Sequence, residues 1–460
     1  MTTISRRRAI QGFLASAVGA CCAGGSAAKQ ARVLRPEAFG AAGDGVADDG
    51  PAFRRACREA FLTGGTLVLS PRRYRGARLE VHGSFDVEGN GATIDYLGVG
   101  NTPILGRGRA KAAVATAWPA TDKDALAHLY PVSQRRLLRP AAAGATSLNL
   151  NDPAGLLPGD WLFLAQHPTS MSSPDNFIPR DFEFVAVASV NQTGVALRQP
   201  MRTDMSNAAA VFHCRGIAHD CTISNLVIAT DVDAYQHVIR SAINVTLENI
   251  VFAGHCAVGA STFSDGLAYR QCRATNAYGC LSIARGSRNV LVDGFEYASK
   301  TTGMAEPFAV FVEESFYDIV IRRVQATGGG FSIRAVDLDS LSTPRRLTLE
   351  RSSFRSDNAN AGPTGALHGA VAIGTDISVS QTYFRGHAIR PDSQFYPGVV
   401  EPAVTWMATM QTTDRLRFDN CVFQSDNGGR AFAGGSGFLA RLSLDPRTNR
   451  FLGCEGPRVG

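Results

Sequence analysis

Thr222-Ile223-Ser224-Asn225-Leu226 decides how this chain folds, because the same short unit returns seven more times. It recurs as Thr246-Leu247-Glu248-Asn249-Ile250, Ala268-Tyr269-Arg270-Gln271-Cys272 and Leu291-Val292-Asp293-Gly294-Phe295. Val320-Ile321-Arg322-Arg323-Val324, Thr348-Leu349-Glu350-Arg351-Ser352, Ser378-Val379-Ser380-Gln381-Thr382 and Arg417-Phe418-Asp419-Asn420-Cys421 complete the series. Taking the fourth residue as a marker, the spacings are 24, 22, 23, 29, 28, 30 and 39. Each unit alternates apolar and polar residues, the period-2 pattern of a half-buried strand. One dominant strand per repeat, followed by Gly-rich turns, is one coil of a β-solenoid rather than a hairpin. No 3.6-residue period runs through the segment, which excludes helical repeats. The expected fold class is therefore all-β, a parallel β-helix.

A single coil exposes unpaired backbone groups above and below, and stacking at about 4.8 Å pairs them. The marker column carries Asn225, Asn249, Gln271, Gln381 and Asn420, side chains able to form amide ladders between coils. The end coils need caps. At the front, Asp49-Gly50-Pro51 reads as a helix start, with Pro near the first helical position. That helix, predicted near 50–62, would lay Ala52, Phe53, Ala56 and Ala60 over the first coil before ending at Gly64-Gly65.

The front also carries a family resemblance. Phe39-Gly40-Ala41-Ala42-Gly43-Asp44-Gly45-Val46-Ala47-Asp48-Asp49 precedes the helix, and Gly64-Gly65-Thr66-Leu67-Val68-Leu69-Ser70-Pro71 with Tyr74 follows it. This arrangement resembles the opening of rhamnogalacturonase/epimerase-type pectate-lyase-like proteins. With the coils included, the likeness covers most of the chain after its first 28 residues. It implies a right-handed β-helix of the pectin-lyase type and a polysaccharide partner. It says little about chemistry, because relatives include lyases, hydrolases, epimerases and phage tailspikes.

These readings divide the chain into 1–28, a signal segment; 33–106, the cap and first coils; 107–215, a β-rich insertion; 216–430, the main coils; and 431–460, a C-terminal tail or cap. The insertion breaks the coil rhythm. Short alternating runs within 144–150, 157–164, 182–187 and 195–197, separated by Gly and Asp turns, suggest a small β-barrel-like unit. Such a unit would clamp a glycan against the helix or widen the cap.

Ser5-Arg6-Arg7-Arg8-Ala9-Ile10 resembles a twin-arginine export signature, and the apolar stretch to Ala23 is too short to span a bilayer. The expected destination is periplasmic or secreted. Ser26-Ala27-Ala28 suits ordinary cleavage, while Val18-Gly19-Ala20-Cys21 is an imperfect lipobox that would anchor the chain at Cys21. The segment holds three Arg and no acid, so its removal lowers the net charge from +6 to +3. Basic residues are scattered rather than gathered in a stripe, which argues against a nucleic-acid partner. Beyond residue 28 no apolar run of 18 residues reads as a transmembrane helix. No Cys or His cluster has metal-ligand spacing, so no metal site of that kind is expected. Cys272 and Cys421 fall at inward repeat positions, whereas Cys214 and Cys221 could pair. Oligomeric state does not follow from the sequence.

The familiar catalytic signatures of the superfamily are missing: there is no Asn-x-Asp with Asp-Asp, Gly-His-Gly and Arg-x-Lys, and no Asp-Pro-His. Coil phase offers another route, since equal phase means adjacency. Six residues beyond the markers lie Asp231, His255, Lys300, Asp357, His387 and Asp426, and seven beyond the third lies Tyr278. Asp231, His255, Tyr278 and Lys300 would form one ridge with steps of about 4.8 Å. β-Elimination on a uronate needs a base for the C5 proton, an acid for the leaving oxygen and a cation for the carboxylate. His255, Tyr278 and Lys300 supply the first two kinds of group. The bland alternative is that turn positions are polar in any case. Arg240, Arg285 and Arg334, on or beside the strands before the markers, have the fork geometry for carboxylates, with Asp231 a further substrate contact. They also read as surface Arg in an Arg-rich chain. Asp337 and Asp339 would share a face about 6.6 Å apart on a continuing strand, which fits an inverting glycoside hydrolase, although such pairs usually form turns. The sequence assigns no cofactor; Ca2+ through Asp231 and Asp233 is the one candidate. The leading expectation is an exported carbohydrate-active enzyme cleaving or modifying an acidic polysaccharide by β-elimination. The alternatives are a non-catalytic glycan-binding or envelope structural protein, and the hydrolase.

Overall fold

In a computed structural model of the chain, the described residues are 32–99, 135–166, 181–214, 217–229, 235–253, 257–277, 279–284, 286–299, 308–313, 316–335, 345–356, 367–371, 375–386, 403–407, 415–433 and 442–456. They build a right-handed parallel β-helix in which 28 strands join one continuous ladder.

Each coil contributes three strands rather than the single one apparent in the repeat. The marker is the hinge between the first two. Asn225, Asn249, Gln271, Arg323, Arg351, Gln381 and Asn420 all have φ between 49° and 56°, and Gly294 has φ 76°. This left-handed bend turns the strand by a sharp angle without breaking the ladder on either side. The amide ladder forms where Asn residues neighbour one another. Asn249 Nδ2 donates to Asn225 Oδ1 at 2.6 Å, and Asn225 Nδ2 donates to Glu88 Oε1 at 3.0 Å.

Strands before the marker form the first sheet, as in Thr246↔Ala268↔Leu291↔Val320↔Thr348↔Ser378↔Arg417. Strands after it form the second, running through Arg273–Ala277, Glu296–Ser299, Gln325–Thr327, Ser353–Arg355, Tyr383–Gly386 and Val422–Ser425. The third sheet holds Tyr235–Arg240, Ala257–Thr262, Gly279–Ala284, Phe308–Glu313, Gly330–Ala335, Leu367–Val371 and Ala403–Met407. Inward positions fill one core along the axis. In the last coils of the second sheet the same ring repeats: Phe354, Phe384, Phe423 and Phe451 stack at 5.9, 5.5 and 5.7 Å with near-parallel planes.

The helix Gly50–Thr63 closes the front, burying Ala52, Phe53, Ala56, Cys57 and Ala60. The motif before it is a structural knot. Asp49, 1% exposed, accepts from Ala42 N at 2.7 Å, and Asp44 accepts from Val46 N and Ala47 N at 2.8 Å. Gly43 has φ +62°, and a Cβ there would collide with the side chains of Arg72 and Tyr74. The motif's residues are thus engaged in shaping the cap, which is why it marks a fold rather than a reaction.

The insertion is a six-stranded antiparallel sheet in the order Arg135–Arg136, Ala210–Cys214, Trp161–Ala165, Phe182–Asn191, Gly194–Leu197, Ser147–Asn149. A bridge between Leu137 and Leu150 joins the two edge strands, so the sheet closes on itself. Its interior is a separate core that includes Leu148, Leu162, Leu164, Val185, Val187 and Val211. Alternate residues on the same strands face the helix, and Phe163, Phe182, Phe184 and Phe212 pack there with Phe263, Ile243 and Tyr317.

The cysteines described are all free, and Cys214 and Cys221 lie in different cores, so they do not form a disulfide. Cys272 and Cys421 face inward as the repeat phase requires. Among the described residues, no helix is long and apolar enough to cross a membrane.

Candidate functional site

The third sheet is the floor of the candidate site, and its two edges differ. Strands enter it from the turn that follows the second sheet and leave it through the turn that leads to the first. The barrel sits on the leaving edge, where Phe263, Asp265, Arg288 and Tyr317 belong to those turns.

His255, Tyr278, Lys300 and Asp231 belong in sequence to the entering edge, and all four lie outside the described residues. The strand ends just before them are described and pair from coil to coil, with a one-residue shift between Thr275 and Ala277. Ala229 pairs with Ala253, Ala253 with Thr275, Thr275 with Ala298, and Ala277 with Ser299. Asp426, the described member of the same phase, accepts from Arg385 Nε at 3.0 Å.

Arg285 also lies outside the described residues, directly after Ala284 on the leaving edge. The strand Gly279–Ala284 therefore stands between the turns of Tyr278 and Arg285, a span of about 17 Å. Arg240 and Arg334 have described backbones on this sheet, in one column: Arg240↔Thr262↔Ala284, and Glu313↔Arg334↔Ala370, with Ile283 opposite Val312. Asp337 and Asp339 lie outside the described residues, beyond the strand that ends at Ala335. Asp233 does too, so the Ca2+ candidate is in the same position; among the described residues no group of three His, Cys, Asp or Glu could hold a metal.

Sequence reasoning missed the floor itself. Leu281, Ile283, Val310, Val312, Phe331 and Ile333 point inward and are fully buried. The residues between them, Ser282, Phe311 and Ser332, form an outward row across three strands. Phe311 is half-buried, with its ring 5.7 Å from that of Phe308, and the flanking serines are only 9% and 5% exposed. An aromatic face flanked by hydroxyls suits a polar ligand with apolar patches. The signal was present as strand alternation in Val310-Phe311-Val312 and Phe331-Ser332-Ile333. By backbone register Ser332 is followed on the next strands by His368 and Trp406.

A buried polar network fastens the barrel along the leaving edge. Glu183, 2% exposed, accepts from Arg202 N, Arg202 Nε and Thr203 N, and Arg202 also pairs with Asp265. Asn289 Nδ2 donates to Asp265 Oδ1 at 2.7 Å. Arg288 donates to Phe182 O at 2.8 Å while its guanidinium lies over the rings of Phe182 and Tyr317. Burial opposes the charge on Arg202, but Asp265 and Glu183 outweigh it and raise its pKa. These charges are satisfied by one another, so the network is a strut.

The first sheet's outer row alternates in sign, Glu248, Arg270, Asp293, Arg322, Glu350. At its centre Asp293 accepts from Arg322 at 2.9 Å and Arg323 at 2.6 Å. Burial pushes the Asp293 carboxyl up, yet the two arginines outweigh it and hold it below the usual range. This row binds coil to coil.

The sequence matches no protein-family model and no curated protein. Among solved structures, a tailspike protein of Pseudomonas phage LKA1 is similar at 12% identity and TM-score 0.40, over 92% of this chain and 79% of that one. PfbA, a surface adhesin of Streptococcus pneumoniae, gives 12% and 0.40 over 92% of each chain. The A-module of a mannuronan C-5 epimerase of Azotobacter vinelandii gives 10% and 0.39 over 93% and 98%. These values carry no function across. The architecture rests on the chain's own strand register.

Proposed function

We propose that the chain is an exported carbohydrate-active enzyme of the rhamnogalacturonase/epimerase type, cleaving an acidic polysaccharide by β-elimination. The observation that supports this most is the register of the strand ends before Asp231, His255, Tyr278 and Lys300. Coils in register bring equal-phase turn residues to neighbouring levels, about 4.8 Å apart. In this reading the polymer lies on the third sheet, with Arg240, Arg285 and Arg334 taking its carboxylates by their planar forks. A base among His255, Tyr278 and Lys300 removes the C5 proton. The electron pair forms the C4–C5 double bond, the C4–O4 bond breaks, and a second member of the set protonates the departing oxygen.

The test is a panel of uronate-bearing and neutral polysaccharides, read by the ultraviolet absorbance of the unsaturated product. His255→Ala and Lys300→Ala are each expected to lower turnover at least about 100-fold with the fold intact. Cleavage without that absorbance would favour hydrolysis at Asp337 and Asp339. Binding without cleavage would favour a glycan-binding or envelope protein. Export through the twin-arginine route is part of the proposal: replacing Arg6 and Arg7 by Lys should trap precursor in the cell, and unchanged export would refute that route.

A further inference from the structure

The second sheet carries another surface, on its late coils, that none of the roles above uses. Ser353–Arg355, Tyr383–Gly386 and Val422–Ser425 alternate strictly, with Phe354, Phe384 and Phe423 buried in the core. Their outward partners form two adjacent rows, Ser353↔Tyr383↔Val422 and Arg355↔Arg385↔Gln424. Two arginines thus stand on neighbouring strands, about 4.8 Å apart, an arrangement that costs energy unless an anion offsets it.

Only one of the two has an acid. Arg385 donates through Nε to Asp426 at 3.0 Å. Arg355 is exposed, has no acidic partner among the described residues, and holds its guanidinium 5.7 Å above the ring of Tyr383. That ring is itself fixed, because its hydroxyl donates to Gln424 Oε1 at 2.7 Å. Two strands beyond Tyr383 in the same row, opposite Val422, Arg450 is exposed. The surface is therefore flat, preorganised, aromatic at its centre and cationic.

The geometry points to a binding face for a carboxylate-bearing polysaccharide at Arg355, Tyr383, Arg385 and Gln424, separate from the third-sheet floor. The fork of Arg355, with no acidic partner among the described residues, can take a carboxylate side-on from its place over the Tyr383 ring, and Gln424 and Ser353 supply neutral hydrogen bonds. A flat face along the coil axis fits an extended polymer better than a small anion, which prefers a concave site. The charges are too sparse for nucleic acid, whose binding draws on many phosphate contacts. This face holds a chain whether or not that chain is cleaved, so the inference does not depend on the proposed reaction.

The experiment is affinity electrophoresis of the full chain through gels containing polygalacturonate, dextran or duplex DNA. Wild type is expected to be retarded by polygalacturonate and not by dextran. Arg355→Gln should weaken that retardation about tenfold, the loss of one charge-assisted hydrogen-bonded contact. Tyr383→Leu should weaken it as well, with circular dichroism confirming the fold. Arg447→Gln is the charge control, since Arg447 is exposed and already paired with Asp445. If Arg447→Gln weakens retardation as much as Arg355→Gln, if Arg355→Gln changes nothing, or if DNA is held more tightly than polygalacturonate, the inference is overturned.

Discussion

Replacing Phe163 by alanine tests how the barrel is attached. Phe163 and Leu164 are neighbours on one strand, yet they serve different cores. The Phe163 ring is fully buried at the joint, with ring centroids 4.8 Å from Phe184, 5.3 Å from Phe263, 6.0 Å from Phe182 and 6.1 Å from Phe212. Leu164 lies inside the barrel. A buried Phe→Ala change costs about 3–5 kcal/mol, and four aromatic neighbours place this site towards the upper end. At about 1.4 kcal/mol per decade, amide exchange at the joint should accelerate by roughly two to three and a half orders of magnitude. Hydrogen exchange read by mass spectrometry should localise the loss to strands that face the helix, such as Phe182–Asn191 and Ala210–Cys214. Leu164→Ala, costing about 2–5 kcal/mol, should instead loosen the barrel interior and leave Phe263 and Tyr317 protected. If both variants give the same exchange map, the barrel and the joint are one cooperative unit and the two-core reasoning fails.

Three further outcomes follow from single sites. Asp293→Asn should destabilise the chain by about 1–2 kcal/mol at pH 7, because Arg322 and Arg323 lose a carboxylate. The folded pKa of Asp293 is depressed, so its contribution is present above the unfolded value near 3.9 and lost as pH falls through the folded one; denaturation curves of the two proteins should converge in acid. Burial pushes the thiols of Cys57, Cys214, Cys221 and Cys272 up to about 12 and that of Cys421 to about 11, so a thiol-specific disulfide reagent at pH 8 should spare them until denaturant is added, and rapid native labelling would contradict the described burial. Asn249→Ala forces a Cβ-bearing residue without a local amide into φ 54° and removes the bond to Asn225, a loss of about 2 kcal/mol; Asn249→Gly keeps the bend and should lose about half of that in a urea titration.

The coil stack was legible because strand alternation and marker spacing are local signals that the fold repeats. The three-strand coil was less so: the marker breaks the alternation, since a left-handed residue such as Arg323 bends the strand sharply without changing composition. The barrel's strands were visible as alternating runs, but its closure through Leu137 and Leu150 depends on a contact between short, weakly patterned segments. The strut of Glu183, Arg202 and Asp265 was invisible, since its members sit far apart in the chain and look like surface charges. For the site, phase arithmetic pointed to residues in the turns before the third sheet, which lie outside the described residues. The floor, Ser282, Phe311 and Ser332, carries no charge, and its alternation is shared by every other strand of the solenoid.

The strands Val87–Val99 and Ala218–Ala229 are direct neighbours, although the bonded residues Asp86 and Thr222 are 136 positions apart. Closing that loop rather than one of 24 residues costs about 1.5 kcal/mol of extra chain entropy. Later coils, whose markers lie only 22 to 39 residues apart along the chain, can zip together first, so the front of the solenoid is sealed last. During synthesis the order is reversed: the cap and the first coil leave the ribosome early and must wait for the whole barrel to follow. Throughout that wait Val87–Val99 is an open strand edge, so the newborn chain is most exposed to mispairing at the end that its finished form protects with a helix.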